Sequence, residues 1–186
     1  NPVNDAPVLS TIDDISFDED GSYTVTLSAN DIDNDNNNLI YSVSNGADIT
    51  GAIINGNQLS VTADEHFNGS GAVIVTVSDG ELTDTKTVDI TVNPVNNPPI
   101  LSPINDIEFD EDSSYILNIL ASDVDQEDIL NFSISGGNNI NTVLEGNSIV
   151  FAADENWYGT ETFNISVSDG LLQDSQVITV VVNPTN

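Results

Sequence analysis

Apolar and polar residues alternate along most of this chain in short runs. The clearest runs are Tyr23–Ala29, Val73–Val77 and Val88–Val92, followed by Tyr115–Ile119, Phe163–Val167 and Ile178–Val182. Because successive side chains of a β-strand point to opposite faces, each run predicts a strand with one buried face. No stretch has the spacing of an amphipathic helix. The pattern predicts an all-β chain with no helix longer than about one turn.

Dipeptides of Asn or Asp followed by Gly separate several of these runs. Asn45-Gly46, Asn55-Gly56 and Asp79-Gly80 each lie between two predicted strands. Tight turns between strands need residues with positive φ, which Asn, Asp and Gly adopt most easily. We therefore predict hairpin turns at these three places.

The strand pattern occurs twice, with the same motifs in the same order. The segment Asn1–Pro7 recurs at Asn93–Pro99 and begins again at Asn183, after 92 and then 90 residues. About seven short strands per unit predict a Greek-key β-sandwich. We predict two such sandwiches, residues 1–95 and 96–186. Since the linker motif lies near both ends, we expect the parent protein to be an array of such units.

The chain is strongly acidic, with 31 Asp and Glu residues against Lys86 as the one basic residue, for a formal net charge of −30. Such a chain repels polyanions, which argues against nucleic acid and against direct contact with an anionic membrane. No apolar run approaches the roughly 20 residues of a membrane span. Cysteine is absent, which excludes disulfides and thiolate metal sites. Cations are the natural partners of this surface.

The acids are concentrated where the predicted strands end. In the first copy the groups are Asp18-Glu19-Asp20, Asp31/Asp33/Asp35, Asp64-Glu65, Asp79 and Asp84. The second copy has acids at the same places, including Asp123, Asp125, Glu127 and Asp128. A solvated acidic surface adapted to salt is one interpretation, but it would not require recurrence at fixed positions. Calcium, which takes about six to eight oxygen ligands, is the other. An EF-hand is excluded, because Asn36 and Ser42 stand where its loop needs Gly and Glu.

Four motifs occur in the order typical of one family. They are the linker Asn93–Pro99, Asp31-Ile32-Asp33, Asp64-Glu65, and Val77-Ser78-Asp79-Gly80. In this order they resemble the motifs of cadherin repeats, and the resemblance covers the whole chain. More narrowly, the chain resembles the bacterial cadherin-like repeats found in tandem in large secreted proteins. The resemblance implies two cadherin/Ig-like sandwiches with Ca²⁺ bound between consecutive repeats.

The resemblance also implies which residues bind the metal. At the junction of the two repeats the expected ligands are Glu19, Asp64, Glu65, Asn96, Asn97, Asp123, Asp125 and Asp169. Their counterparts at the start of the first repeat, which would serve a preceding repeat, are Asp31, Asp33 and Asp79. The chain departs from the family pattern at Asn93 and Asn97, where the family usually has Asp, and it lacks the Arg between Asp64 and Glu65.

These observations favour a module without catalytic activity. The single histidine, His66, is replaced by Asn156 in the second copy, and paired carboxylates recur in both small sandwiches. We expect Phe67 and Trp157 to pack in the cores, which leaves Tyr158 as a candidate for stacking on a sugar.

The leading hypothesis is a calcium-rigidified module of an extracellular bacterial adhesin, which acts as an extender or in cell adhesion. Its expected partners are calcium and neighbouring repeats, together with polysaccharide or another copy of the module. The alternative is a carbohydrate-binding or accessory linker module of a secreted bacterial hydrolase.

Overall fold

A computed structural model describes residues 3–185, without the side chain of Asn37. The linker residues Asn1, Pro2 and Asn186 lie outside the described residues. The chain divides into two compact units, Asn1–Val95 and Asn96–Asn186, called unit 1 and unit 2 below. The all-β prediction is confirmed: within the described residues the one helical element is the 3₁₀ turn Asn36–Asn38. In the same part of the chain, no helix is long and apolar enough to cross a membrane.

Unit 1 contains nine strands among its described residues. They are β1 (Val8–Leu9), β2 (Ile15–Asp18), β3 (Ser22–Thr26), β4 (Ala29–Asn30), β5 (Ile40–Ser44), β6 (Ile49–Ile54), β7 (Gln58–Ala63), β8 (Gly69–Ser78) and β9 (Thr83–Asn93). Seven of them form two sheets, in the orders β2-β9-β8-β5 and β3-β7-β6. Strands β2 and β9 run parallel, and the other pairs are antiparallel. The short strands β1 and β4 pair with each other.

Unit 2 repeats this topology strand for strand. Its strands are β10 (Ile100–Leu101), β11 (Ile107–Asp110), β12 (Ser114–Asn118), β13 (Ala121–Ser122), β14 (Asn131–Gly136), β15 (Ile140–Glu145), β16 (Ser148–Ala153), β17 (Gly159–Ser168) and β18 (Gln173–Asn183). The sheets are β11-β18-β17-β14 and β12-β16-β15, and β10 pairs with β13. The two halves of the chain therefore fold in the same way.

The alternating apolar residues form the cores, as the pattern predicts. Val73, Val75 and Val77 of β8 are at most 1% exposed, while the residues between them are more accessible. In unit 2, Phe151 packs edge-on against Phe163, with ring centroids 5.2 Å apart and planes at 85°. Such aromatic pairs stabilise a core beyond the area that they bury. Phe67 and Trp157 also pack against the cores of their units, as predicted.

Two sequence predictions need correction. Tyr23 and its counterpart Tyr115 belong to predicted inward faces, but they are 43% and 38% exposed, because β3 and β12 are edge strands of their sheets. The Asn45-Gly46 dipeptide does not form a positive-φ turn at Gly46. A side chain there would instead overlap the carbonyl oxygen of Ala72 on β8, so close approach of the backbone explains this glycine. Asn55-Gly56 does form the predicted turn, with φ of 50° and 87°.

Candidate metal centre

Three segments of unit 2 meet at one end of its sandwich. They are the leading residues Asn96 and Asn97, the loop 123–130 after β13, and the turn between β17 and β18. The side chain Nδ2 of Asn96 donates to Oδ2 of Asp169 (2.9 Å), and the backbone N–H of Asn97 donates to Oδ2 of Asp125 (2.7 Å). Carboxylates from the body of the unit thus hold the segment that leads into it.

Three carboxylates of the loop 123–130 converge. One oxygen each of Asp123, Asp125 and Asp128 lies within 4.8 Å of the others. The loop is held in this shape by its own backbone, since the Asp125 N–H donates to Asp123 Oδ1 (3.1 Å) and the Asp128 N–H donates to the Asp125 carbonyl (3.1 Å). Within residues 3–185, this is the one group of three acidic or histidine side chains with such close ligand atoms.

Two oxygens of this group lack any hydrogen-bond partner. Oδ2 of Asp123 and Oδ2 of Asp128 each expose less than 1 Å². Burial raises the pKa of Asp128, and the neighbouring charges of Asp125 and Asp123 raise it further. A buried carboxylate oxygen without a partner is costly, and repulsion among the three acids adds to that cost. A cation among these oxygens would remove both penalties.

Unlike Asp128, Asp169 is held in its charged form by hydrogen bonds. Its Oδ1 accepts two backbone hydrogen bonds of 2.6 Å, from Leu171 and Leu172, and its Oδ2 accepts the bond from Asn96. Burial alone would raise the pKa of Asp169, but these hydrogen bonds together lower it. A carboxylate that receives several N–H groups stays ionised, so Asp169 keeps a negative charge beside the loop.

Unit 1 builds a similar centre from the matching residues. Asn4 Nδ2 donates to Asp79 Oδ2 and the Asp5 N–H donates to Asp33 Oδ2, both at 2.8 Å. Asp31 is only 8% exposed. Its Oδ1 accepts the N–H of Asp33, while its Oδ2 is buried without a hydrogen-bond partner. Backbone hydrogen bonds from the turn after Asp79, together with the Asn4 side chain, lower the pKa of Asp79.

The remaining predicted ligands lie at the opposite end of unit 1. Glu19 is only 5% exposed. Its Oε1 accepts the backbone N–H of Val95 (2.8 Å), and its Oε2 accepts Nδ2 of Asn68 (3.1 Å). Asp64 and Glu65 lie on an exposed turn after β7, where Glu65 Oε1 is 3.6 Å from Nε2 of His66. That these acids complete a calcium cage with the following repeat stays a prediction.

The structure therefore brings together two subsets of the predicted residues, each within one unit. These are Asp31, Asp33 and Asp79 with Asn4 and Asp5, and Asp123, Asp125 and Asp169 with Asn96 and Asn97. The sequence prediction did not include Asp128, whose carboxylate the structure places beside those of Asp123 and Asp125. The sequence does show Asp128 as a further acid in the loop after Asp123. The replacement of Asp by Asn97 leaves its contact with Asp125 intact, because that contact uses the backbone N–H.

This donor set fits a hard divalent cation. The convergent atoms are carboxylate oxygens, which calcium prefers, and one oxygen of Asp31, Asp123 and Asp128 is buried without a partner. A cation bound there would supply charge neutralisation and would tie the loop and the leading segment to one point. Asp31 and Asp33 would hold it in unit 1, and Asp123 and Asp125 in unit 2.

Comparison with solved structures supports the fold. The chain aligns with human protocadherin-24 EC1-2 (form II) at a TM-score of 0.59 and 18% identity, covering 98% of this chain and 100% of that one. Drosophila N-cadherin EC1-4 gives a TM-score of 0.56 at 18% identity, covering 98% of this chain and 50% of that one. At this identity the likeness shows the fold alone, which is that of cadherin repeats.

Comparison with known sequences identifies the family. Chitinase A of Pseudoalteromonas piscicida is 29% identical over 171 residues, which are 90% of this chain and 20% of the chitinase. The chain thus spans only about a fifth of that relative. The bacterial Ig domain family matches residues 4–91 and again residues 96–181. The predicted tandem bacterial cadherin-like, Ig-like repeats are confirmed, and the chain belongs to the bacterial Ig domain family, as two consecutive copies of the domain.

Proposed function

We propose that this chain is a calcium-binding tandem module of an extracellular bacterial protein and that it has no catalytic activity of its own. One observation carries the proposal. At the same loop position in both units an Asp, Asp31 or Asp123, has its Oδ2 buried without a hydrogen-bond partner. In each unit that Asp lies among further carboxylates.

Calcium fits these centres better than the other common cations. Calcium accepts irregular sets of carboxylate and carbonyl oxygens, whereas magnesium demands near-octahedral geometry and retains water. Thiolates are absent from the chain, and the one histidine, His66, is bonded to Asp20 away from both centres. Calcium sites of extracellular modules have dissociation constants of about 0.1–1 mM, which suits weak, repeated sites outside the cell.

The proposed effect of calcium is to order the segment that leads into each domain. The N–H of Asn97 and the side chain of Asn96 bond to carboxylates of the centre in unit 2. A cation that fixes Asp125 would therefore fix Asn97 as well. In a tandem array, ordered leading segments would reduce the conformational freedom of the linkers, so that the array could act as an extender. Adhesion would then be the task of other parts of the protein or of the repeats themselves.

The chitinase relative favours a second candidate, an accessory module of a secreted hydrolase that binds carbohydrate or links other domains. Tyr158 is the aromatic residue that such binding would use, since it is 60% exposed while its neighbour Trp157 packs against the core. Sedimentation of the chain with insoluble chitin tests whether the module recognises carbohydrate. Binding that is lost in Tyr158→Ala would support carbohydrate recognition, whereas absence of binding would support an extender or a linker.

Thermal unfolding tests the calcium proposal. A ligand that binds the folded form and not the unfolded chain adds about 4 kcal/mol when it is present at about 1,000 times its dissociation constant. We expect millimolar calcium to raise the melting temperature above that in chelator with sodium chloride at the same ionic strength. Equal melting temperatures would indicate a solvated acidic surface instead.

A further inference from the structure

The two centres differ in the loop that supplies most of their carboxylates. In unit 1 the loop between β4 and β5 spans residues 31–39, and in unit 2 the loop between β13 and β14 spans residues 123–130, one residue shorter. The 3₁₀ turn Asn36–Asn38 is part of the longer loop. Counted from the first Asp of each loop, Asn36 and Asp128 occupy the same position.

Asn36 is used to brace its own loop. Its Oδ1 accepts the backbone N–H of Asp31 (2.8 Å), and its Nδ2 donates to Oδ1 of Asn30 (3.2 Å). Both ends of the carboxamide are therefore engaged at the start of the loop. The side chain is neutral and adds no charge to the centre of unit 1.

Asp128 is directed into the centre of unit 2. A carboxylate oxygen of Asp128 lies within 4.8 Å of oxygens of Asp123 and Asp125. Its Oδ2 exposes less than 1 Å² and has no hydrogen-bond partner, as is also true of Oδ2 of Asp123. Two buried, unpartnered oxygens in one group of three carboxylates point to a positively charged ligand, since nothing else among the described residues compensates them.

The difference between Asn36 and Asp128 is accompanied by the opposite difference in the leading segments, where unit 1 has the Asp and unit 2 has the Asn. Asp5 lies in the leading segment of unit 1, whereas Asn97 stands at the matching position in the leading segment of unit 2. Unit 2 therefore has the additional carboxylate in its own loop, and unit 1 has it in the segment before the domain. A ligand held within a short, internally hydrogen-bonded loop loses less freedom when a cation binds than one supplied by a leading segment.

We propose that Asp128 is a further calcium ligand and that it makes the centre of unit 2 the tighter of the two. This inference rests on the proposed calcium binding and assigns different strengths to its two centres. Calcium affinity rises with the number of charged ligands, and among the described residues only the loop 123–130 brings three carboxylate groups within 4.8 Å of one another. As the calcium concentration rises, the centre of unit 2 binds calcium before the centre of unit 1 does.

Amide shifts in ¹H–¹⁵N spectra of the full chain can follow each centre during a calcium titration. The N–H groups of Asp5 and Asp33 report unit 1, and those of Asn97 and Asp125 report unit 2. In the wild type we expect the unit 2 signals to shift at lower calcium than the unit 1 signals. Asp128→Asn, which preserves the shape of the side chain, should weaken calcium binding to unit 2 about tenfold or more and leave unit 1 unchanged. Glu127→Gln removes the same charge from the neighbouring position and is the matched control.

Each outcome decides a separate point. Signals that do not respond to calcium in either unit of the wild type would reject calcium binding itself. Equal midpoints in both units, with no effect of Asp128→Asn, would reject the role of Asp128 and leave calcium binding in place. A weakening of the same size in Glu127→Gln would show that general charge, and not ligation by Asp128, sets the affinity of unit 2.

Discussion

The backbone N–H of Asn97 donates a 2.7 Å hydrogen bond to the carboxylate of Asp125, so the segment leading into unit 2 is fastened to the loop that carries its acids. Asp5 and Asp33 make the same contact in unit 1, at 2.8 Å. Because the donor is a backbone group, the contact does not depend on whether the leading residue is Asp or Asn. The relationship explains how a cation site in the body of a domain could control the chain that precedes it.

Removal of Asp125 should release the leading segment of unit 2. In Asp125→Ala the Asn97 N–H loses its acceptor, and we expect its hydrogen exchange to quicken while the β-sheet signals of unit 2 remain. Calcium should slow this exchange in the wild type and have less effect in the variant, which lacks one carboxylate. Exchange of the Asp5 N–H in the same sample is the internal control. Unchanged exchange at Asn97 would contradict the role of this bond.

The core of unit 2 should depend on its aromatic pair. Phe151 is fully buried and meets the Phe163 ring edge-on, and replacement of a buried Phe by Ala typically costs about 3–5 kcal/mol. We expect Phe151→Ala to lower the free energy of unfolding of unit 2 by about that amount. Urea unfolding followed by the fluorescence of Trp157, the single tryptophan, reports this unit selectively.

Ile116→Ala on the adjacent strand β12 is the matched control for the core variant. Ile116 is 61% exposed, and truncation of a side chain at the surface usually changes stability by less than about 0.5 kcal/mol. If the two variants lose equal stability, the assignment of inward and outward faces on this sheet is wrong.

Glu161 should make the stability of unit 2 depend on pH. Its carboxylate accepts the backbone N–H groups of Asn138, Asn139 and Ile140 at 2.9–3.1 Å, together with Asn139 Nδ2 at 2.8 Å. Burial alone would raise the pKa of Glu161, but these donors lower it. A lowered pKa means that the stabilisation is complete above the unfolded-state pKa of about 4.3 and is lost as the pH falls through the folded-state value.

Glu161→Gln should therefore reduce the stability of unit 2 by about 2 kcal/mol at neutral pH, the size expected for hydrogen bonds to a charged group. The difference from the wild type should shrink as the pH falls below about 4.3. Urea unfolding followed by Trp157 fluorescence at several pH values measures it. A difference that stays constant down to strongly acidic pH would show that the charge of Glu161 is not what holds the loop.

The sequence was sufficient to predict the fold because the residues that become buried already alternate with polar residues along the chain. Alternating Val and Ile residues, such as Val88 and Ile90 of β9, can satisfy both a pleated backbone and an apolar core only as strands. The internal repeat then set the number of units. Tyr23 was predicted wrongly, since alternation shows which face a residue belongs to but not whether its strand lies at the edge of a sheet.

The candidate site was only partly predictable. The acids at Asp31 and Asp123 were found because they recur after the same strand. The position of Asp128 beside Asp123 and Asp125 was missed, because recurrence cannot reveal an acid that only one copy has at this place and because its loop is one residue shorter. The contact of Asn97 was also beyond reach, since a backbone donor leaves no trace in the choice of side chain.

The most direct test of calcium binding is titration calorimetry of the chelator-treated chain with calcium, in sodium chloride at physiological ionic strength. We predict saturable binding of at least one ion per unit, with dissociation constants of about 1 mM or lower. The double variant Asp31→Asn/Asp123→Asn should lose most of this binding, because each substitution removes the charge of a carboxylate that has one buried oxygen without a hydrogen-bond partner. Asp13→Asn/Asp14→Asn, which removes two exposed acids of unit 1, should bind calcium like the wild type. Absence of saturable binding in the wild type, or equal binding by the two double variants, would contradict the assignment of these centres to calcium.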